Sequence, residues 1–257
     1  MKRFEGKVVV VTGASRGIGQ AVALGFGREG ATVVGVSRNL EETANIFNRE
    51  NLKFISLPAD LETFKRQDAE ALISEIVRRT GRLDVLINNA GIIRRYPAVD
   101  YPEDEWERVL HINLTVPFLL SQAAAKWWIL EGRAKAKLEE RLKIVNTASM
   151  LSFQGGILIV AYTASKSGLA GITRALANEW AKERINVNAV APGYISTENT
   201  RPLREDPQRN QAILARIPEG RWGNPEDVVG AYLFLASPEA DYVNGAVWNV
   251  DGGWLAR

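Results

Sequence analysis

Near its amino terminus the chain reads Val8-Val9-Val10-Val11-Thr12-Gly13-Ala14-Ser15-Arg16-Gly17-Ile18-Gly19. Four β-branched residues in a row predict a strand buried on both faces. A segment of helical period follows at 18–29, so the glycines fall at a strand-to-helix turn. Glycines there allow a tight turn and the close approach of a pyrophosphate, and the helix amino terminus offers amides and a dipole to the phosphates. The spacing is Gly-x-x-x-Gly-x-Gly, not the common Gly-x-Gly-x-x-Gly. A glycine turn can serve structure alone. Its place after the first strand and at the head of the first helix favours a nucleotide site lined by Gly13, Ser15, Arg16, Gly17, Ile18 and Gly19.

Outward from this turn the pattern repeats. Short apolar runs at 8–12, 32–36, 53–58, 85–88, 143–146, 186–190 and 247–250 read as strands buried on both faces. Helical periods at 18–29, 64–79, 103–125, 162–182 and 224–236 separate them. Alternation without hairpins predicts an α/β fold: a single Rossmann-type, doubly wound parallel sheet with helices on both faces. No repeat or linker divides the chain, so one dinucleotide-binding and catalytic domain is expected over 1–257. Two segments are irregular. Residues 129–142 are rich in charge and extend a helix or lie on the surface. Residues 193–222 carry Pro202, Pro207 and Pro218 and read as a long loop, a substrate lid.

The second strand ends at Ser37-Arg38. An acid there would bind the ribose 2′-hydroxyl, whereas an arginine suits a 2′-phosphate. Arg16 and Arg38 together favour NADP(H), with NAD(H) as the alternative if Arg38 only stacks on the adenine.

Composition narrows the chemistry. The 257 residues contain no cysteine and one histidine, with a net charge of +2. Disulfides, thiolate catalysis and cysteine-ligated zinc are excluded, and no metal is expected. His111 reads as structural, since it has no partner for a triad or metal site. The small net charge argues against nucleic acid or an anionic membrane as partner. No apolar stretch approaches the ~18 residues of a membrane span. The start shows no signal-peptide pattern, so a cytoplasmic protein is the expectation.

The remaining chemistry centres on Ala161-Tyr162-Thr163-Ala164-Ser165-Lys166. Residues four apart share a helix face. An ammonium beside a phenol predicts a Tyr162 pKa below its ordinary ~10. Ser149, from a neighbouring strand, could hold a substrate oxygen beside that phenol, giving a site for moving a proton on or off an alcohol or carbonyl oxygen. Alone, Tyr-x-x-x-Lys is weak and fits two unrelated residues on an amphipathic helix.

In full the chain resembles the short-chain dehydrogenase/reductase family over essentially its whole length. The residues that carry the resemblance are Thr12-Gly13-x-x-x-Gly17-x-Gly19, Asp60-Leu61, Asn88-Asn89-Ala90-Gly91, Asn113, Ser149, Tyr162, Lys166 and Pro192-Gly193. The resemblance implies Asn113, Ser149, Tyr162 and Lys166 as the catalytic group. Tyr162 is then the general acid/base, Ser149 holds the reacting oxygen, and Lys166 lowers the Tyr162 pKa and binds the nicotinamide ribose. Asn113 holds a water that links Lys166 to solvent. It also implies Asp60, Leu61, Asn89, Ala90, Gly91, Tyr162, Lys166, Pro192, Gly193, Ile195 and Thr197 as further cofactor contacts, and a homotetramer. The apolar residues 232–236 and 247–250 fit an interface or a core equally.

A narrower resemblance runs to the sugar-acid dehydrogenases of that family, those acting on 2-dehydro-3-deoxy-D-gluconate or 2-deoxy-D-gluconate, with gluconate 5-dehydrogenase as a near relative. It rests on Asn88 to Arg95, Ala148 to Gly156, Asn178 to Lys182, Arg221-Trp222-Gly223 and Asp251 to Arg257. Such an enzyme transfers a hydride between a secondary hydroxyl of a sugar acid and a nicotinamide cofactor. Arg94 and Arg95 suit a carboxylate, which a guanidinium grips in a bidentate way; otherwise they are a solvated pair. Gln154 suits a sugar hydroxyl or a loop-closing contact, and Arg221 the carboxylate or the loop. Ser149 and Tyr162 complete the substrate set. Two other readings compete: an acyl or carbonyl reductase of the same family, and a dinucleotide sensor without catalysis.

Overall fold

The apolar runs become β1 (Val8–Thr12), β2 (Thr32–Ser37), β3 (Phe54–Pro58), β4 (Val85–Asn88), β5 (Leu142–Thr147), β6 (Ile185–Pro192) and β7 (Val247–Val250). In the computed structural model, which describes residues 2–257, they form one parallel sheet in the order β3-β2-β1-β4-β5-β6-β7. The helices that connect them are α1 (Gly17–Arg28), α2 (Glu41–Arg49), α3 (Arg66–Thr80), α4 (Glu103–Leu110), α5 (Val116–Trp127), α6 (Arg133–Lys135), α7 (Val160–Trp180), α8 (Arg201–Glu205), α9 (Pro207–Leu214) and α10 (Pro225–Ala236). No helix among the described residues is long and apolar enough to cross a membrane.

Successive side chains of a strand point to opposite faces. Val8 and Val10 of β1 enter the core on one face, with Ile73 of α3, Leu120 of α5 and Leu176 of α7. Val9 and Val11 enter the core on the other, with Phe26 of α1, Phe47 of α2 and Tyr232 of α10. A strand covered on both faces favours apolar residues at successive positions, which is why β1 reads as a run of four valines.

Burial on both faces does not extend to all seven strands. β3 and β7 are the edges, with half-exposed and exposed positions along them. Trp248 of β7 is 46% exposed. A sheet has two ends, and the crossovers decide which strands occupy them. Tyr232, Leu233, Leu235 and Ala236 are buried, so of the two segments weighed as an interface 232–236 is core and β7 is open.

The helix expected over 103–125 is interrupted. A π turn spans His111–Thr115 between α4 and α5, and a second spans Trp128–Gly132 before α6. Pro117 has no N–H, so the α-helical bond onto the Asn113 carbonyl four residues earlier cannot form. The run continues to Lys135 and absorbs the first part of the charged 129–142 segment. Arg184 binds the rest, donating to the carbonyls of Arg133, Lys137 and Leu138.

Residues 193–222 are not a plain loop, because they hold α8 and α9. Pro202 and Pro207 stand in first helical turns, where a missing N–H costs nothing, while Pro218 lies in a turn beyond α9. Pro207 opens α9 behind Asp206, whose carboxylate caps the amides of Gln208 and Arg209.

Candidate active site

The strand order reverses between β1 and β4, and open α/β sheets bind ligands at the carboxyl ends of strands on either side of such a point. The two ends are stitched together. Thr12 Oγ1 accepts the amides of Asn89 and Ala90, each at 3.0 Å, and Asn89 Nδ2 donates to the Thr12 carbonyl at 3.1 Å. Above them lies a cavity of about 520 Å³, within the range of small-molecule sites. Gly13, Ser15, Arg16, Gly17, Ile18, Gly19, Arg38, Asp60, Leu61, Asn89, Ala90, Gly91, Tyr162, Lys166 and Thr197 all line it.

Three expected cofactor residues do not line the cavity. Pro192 ends β6. A Cβ at Gly193 would stand 2.6 Å from the Asp251 Cα, so Gly193 lets two backbones meet beside the cavity. Ile195 is buried and bridges to Gly223.

The first turn is a cradle that side chains would fill. Gly13 has φ +66° and a Cβ there would lie 2.9 Å from the Ala90 Cα. A Cβ at Gly19 would lie 2.1 Å from the Gly13 carbonyl oxygen. α1 has no side-chain cap and no acid in its first turn, so its amides stay open to an anion. At the β2 end, Arg16 has no acidic partner among the described residues, and Arg38 meets Glu62 only at 3.5 Å. Glu62 is shared with Arg108 at 2.7 Å. A glycine cradle beside these two guanidiniums fits the phosphates of a dinucleotide.

At the other end of the cavity α7 presents Tyr162 and Lys166 one turn apart. Lys166 is 3% exposed. Its Nζ donates to the Thr147 carbonyl at 2.6 Å and lies 5.7 Å from the Tyr162 ring centre. Burial brings the ammonium down to about 8. Burial also pushes the Tyr162 phenol above its ordinary range, against the pull of the Ser149 hydroxyl and the positive charge of Arg95. The expected lowering by Lys166 does not occur. Loss of hydration outweighs the charges, and the cation that acts on the phenol is Arg95.

Asn113 lies in the π turn, a feature that clusters at functional sites. It is fully buried. Its Oδ1 accepts the Ile92 amide at 2.8 Å, while its Nδ2 donates to the Ile92 carbonyl at 2.9 Å and to Ser165 Oγ at 3.1 Å. Its amide group is therefore spent on holding the Gly91 loop. A Cβ at Gly91 would be 3.2 Å from Asn113 Oδ1 and 3.6 Å from Lys166 Nζ, so the three pack in contact. His111 lies in the same turn, outside the cavity lining.

The substrate candidates separate. Neither Arg94 nor Arg95 lines the cavity, and Arg94 is bound to Glu105 at 3.0 Å. Arg95 is half-buried, has no acidic partner among the described residues, and donates to the Asn199 carbonyl at 3.0 Å. Gln154 closes a loop: its Oε1 accepts from Trp254 Nε1 at 3.2 Å and from Arg216 at 3.5 Å. Arg221 is held by Asp227 at 2.6 Å and secures the loop. Among the described residues no group of three or more His, Asp or Glu side chains is arranged to hold a metal ion.

Several lining residues escape the sequence reading. Ser37, Ala59, Glu62 and Thr147 sit at or just past strand ends, and the rule that ligands bind there could have found them. Ile92 follows the Gly91 motif, and Ile112 lies beside Asn113. Ser196, Glu198, Asn199 and Arg204 come from 193–222, where no local pattern marks them.

Comparisons with known proteins agree with this geometry. A family model described as "Enoyl-(Acyl carrier protein) reductase" matches residues 13–255. The chain is 51% identical to the 2-dehydro-3-deoxy-D-gluconate 5-dehydrogenase of Escherichia coli (strain K12), over 99% of this chain and 97% of that protein. A provisionally named 2-deoxy-D-gluconate 3-dehydrogenase from Agrobacterium tumefaciens, crystallised with bound NADP, superposes with a TM-score of 0.89 at 48% identity, over all of both chains. A gluconate 5-dehydrogenase from Burkholderia cenocepacia J2315, crystallised with NADP and tartrate, superposes at 0.91 with 34% identity, over 100% of this chain and 98% of that one.

Proposed function

The chain belongs to the short-chain dehydrogenase/reductase family, NAD(P)-dependent oxidoreductases acting on CH–OH groups, and on that premise we propose that it oxidises a secondary hydroxyl of a sugar acid of the 2-dehydro-3-deoxy-D-gluconate or 2-deoxy-D-gluconate type. The observation that carries the substrate class is Arg95, a half-buried guanidinium without an acidic partner among the described residues, whose charge reaches Tyr162. A carboxylate on Arg95 would fix which hydroxyl of an open-chain acid meets the phenol.

The nicotinamide, when bound, supplies the hydride acceptor or donor. Tyr162 takes the hydroxyl proton in oxidation and returns it in reduction. Ser149 donates to the oxygen as negative charge develops on it. Lys166, its ammonium softened by burial, binds the cofactor ribose and passes protons toward the Asn113 carbonyl and solvent. Arg16 and Arg38 support NADP(H) as the preferred form, and the bound NADP of both similar structures points the same way. Residues 193–222 act as the lid of a single catalytic domain, and Trp248 on the open β7 edge supports a homotetramer.

The test is absorbance at 340 nm with 2-dehydro-3-deoxygluconate, 2-deoxygluconate and gluconate, each against NAD⁺ and NADP⁺. Turnover with a deoxy acid and NADP⁺ is expected. Activity confined to uncharged ketones or acyl thioesters would replace the sugar acid by the second reading, an acyl or carbonyl reductase. That reading draws on the exposed Phe153, Ile157, Leu158 and Val160 between Ser149 and Tyr162.

A further inference from the structure

The roof of the dinucleotide cleft carries a cation that neither the glycine turn nor the Tyr162 group accounts for. Arg204, on α8, lines the cleft together with Arg16, Gly17 and Thr197. Its Nη2 donates to the Thr197 carbonyl at 3.1 Å, while its Nε is buried with no hydrogen-bond partner. Among the described residues no carboxylate pairs with it. Glu198, which shares the cleft wall, and Glu205, next in sequence, both go to Arg201. With Nε closed off from the cleft, it is the guanidinium's charge on the cleft wall that stays uncompensated unless an anion offsets it.

The position says what would. A Cβ on Gly17 would lie 3.3 Å from the Thr197 methyl, so Thr197 abuts the start of α1, and Arg204, tied to Thr197, stands beside that helix end. That helix end is uncapped and free of acid, and it gathers anions. Substrate carboxylate is provided for elsewhere, at Arg95, and the 2′-phosphate at Arg16 and Arg38.

We propose that Arg204 is a lid-borne contact to the diphosphate of the dinucleotide, closing from α8 the anion site whose floor is the amino terminus of α1. It makes cofactor binding and the ordering of the lid one event, because the side chain that meets the phosphates is the one that ties α8 to Thr197. The diphosphate is common to both nicotinamide dinucleotides, so Arg204 serves affinity and leaves the choice between them alone.

The inference rests on the dinucleotide reading of the cleft, and calorimetric titration separates the two. NADH, NADPH and ADP-ribose, each carrying the diphosphate, are titrated into the unaltered enzyme, Arg204→Gln and Arg204→Lys. Arg204→Gln is expected to weaken all three by a similar factor, about tenfold or more, with Arg204→Lys recovering part of the loss. Failure of the unaltered enzyme to bind any of them would overturn the cleft reading itself. Given normal binding there, unchanged affinities in both variants would overturn the Arg204 contact. So would a loss confined to NADPH, which would move Arg204 to the 2′-phosphate, or equal losses in Gln and Lys, which would make its role one of shape. A raised substrate KM with cofactor affinity intact would assign it to the substrate instead.

Discussion

Two adjacent arginines show how residue-scale function is decided. In sequence Arg94 and Arg95 are equivalent candidates. In the fold Glu105 of α4 neutralises Arg94, and Arg95 alone keeps a free charge toward Tyr162. Replacing Arg95 by Gln is expected to raise KM for the sugar acid about tenfold to a hundredfold, with little change for a neutral polyol; equal losses on both substrates would refute the carboxylate role. A cation near a phenol favours the phenolate, so its removal sends the Tyr162 pKa higher still. The alkaline rise of kcat/KM for oxidation should therefore shift to higher pH in Arg95→Gln, and a profile that stays in place or moves down would count against the pairing. Tyr162→Phe should cost about a thousandfold in kcat while calorimetry finds cofactor binding nearly unchanged. Ser149, Tyr162 and Lys166 were legible because helix spacing and a motif in order announce them. Arg204 and Thr147 were not, because the cavity they share is assembled from segments distant in sequence.

At the scale of elements, the departures from expectation have local causes. The π turn that sets Asn113 follows from Pro117, a signal present in the sequence but hidden inside an otherwise regular helical period. α8 and α9 were obscured by reading prolines as breakers, when Pro202 and Pro207 begin helices. The charged 129–142 segment extends the helical run to Lys135, one of its two expected readings, and its far end is tied down through Glu140 to Lys7 and Arg82. Glu140 is pushed up by burial, but Lys7, the Lys137 amide and Arg82 outweigh this and bring it down to about 2 from 4.5. Its folded pKa lies below its unfolded one, so the unfolded chain takes up the proton first. The stabilisation is complete above the ordinary carboxylate range and disappears as pH falls from 4.5 toward 2. Glu140→Gln should lower the thermal midpoint at pH 7 by roughly 2–6 °C, and the gap from the unaltered protein should close at low pH. A gap that persists undiminished in acid would mean the side chain acts through packing.

Across the whole molecule, the open β7 edge is the clearest unfinished surface. Trp248 stacks edge-on with Phe234, their ring centres 5.2 Å apart, and stays 46% exposed. If the homotetramer uses this edge, Trp248→Glu should yield a smaller species in analytical ultracentrifugation while the far-UV spectrum is retained; a tetramer unaltered by the substitution would place the interface elsewhere. The sequence by itself determined the parallel α/β sheet, the dinucleotide turn and the Tyr162 group, because each is written in short-range terms: continuous apolar runs, glycines at one turn, and residues one helical turn apart. The tertiary structure alone decided which strands became edges, which of two arginines kept its charge, and whether burial or a neighbouring cation governs the Tyr162 phenol. Those outcomes depend on which distant side chains share a place and how much water remains there, and neither quantity has a local spelling.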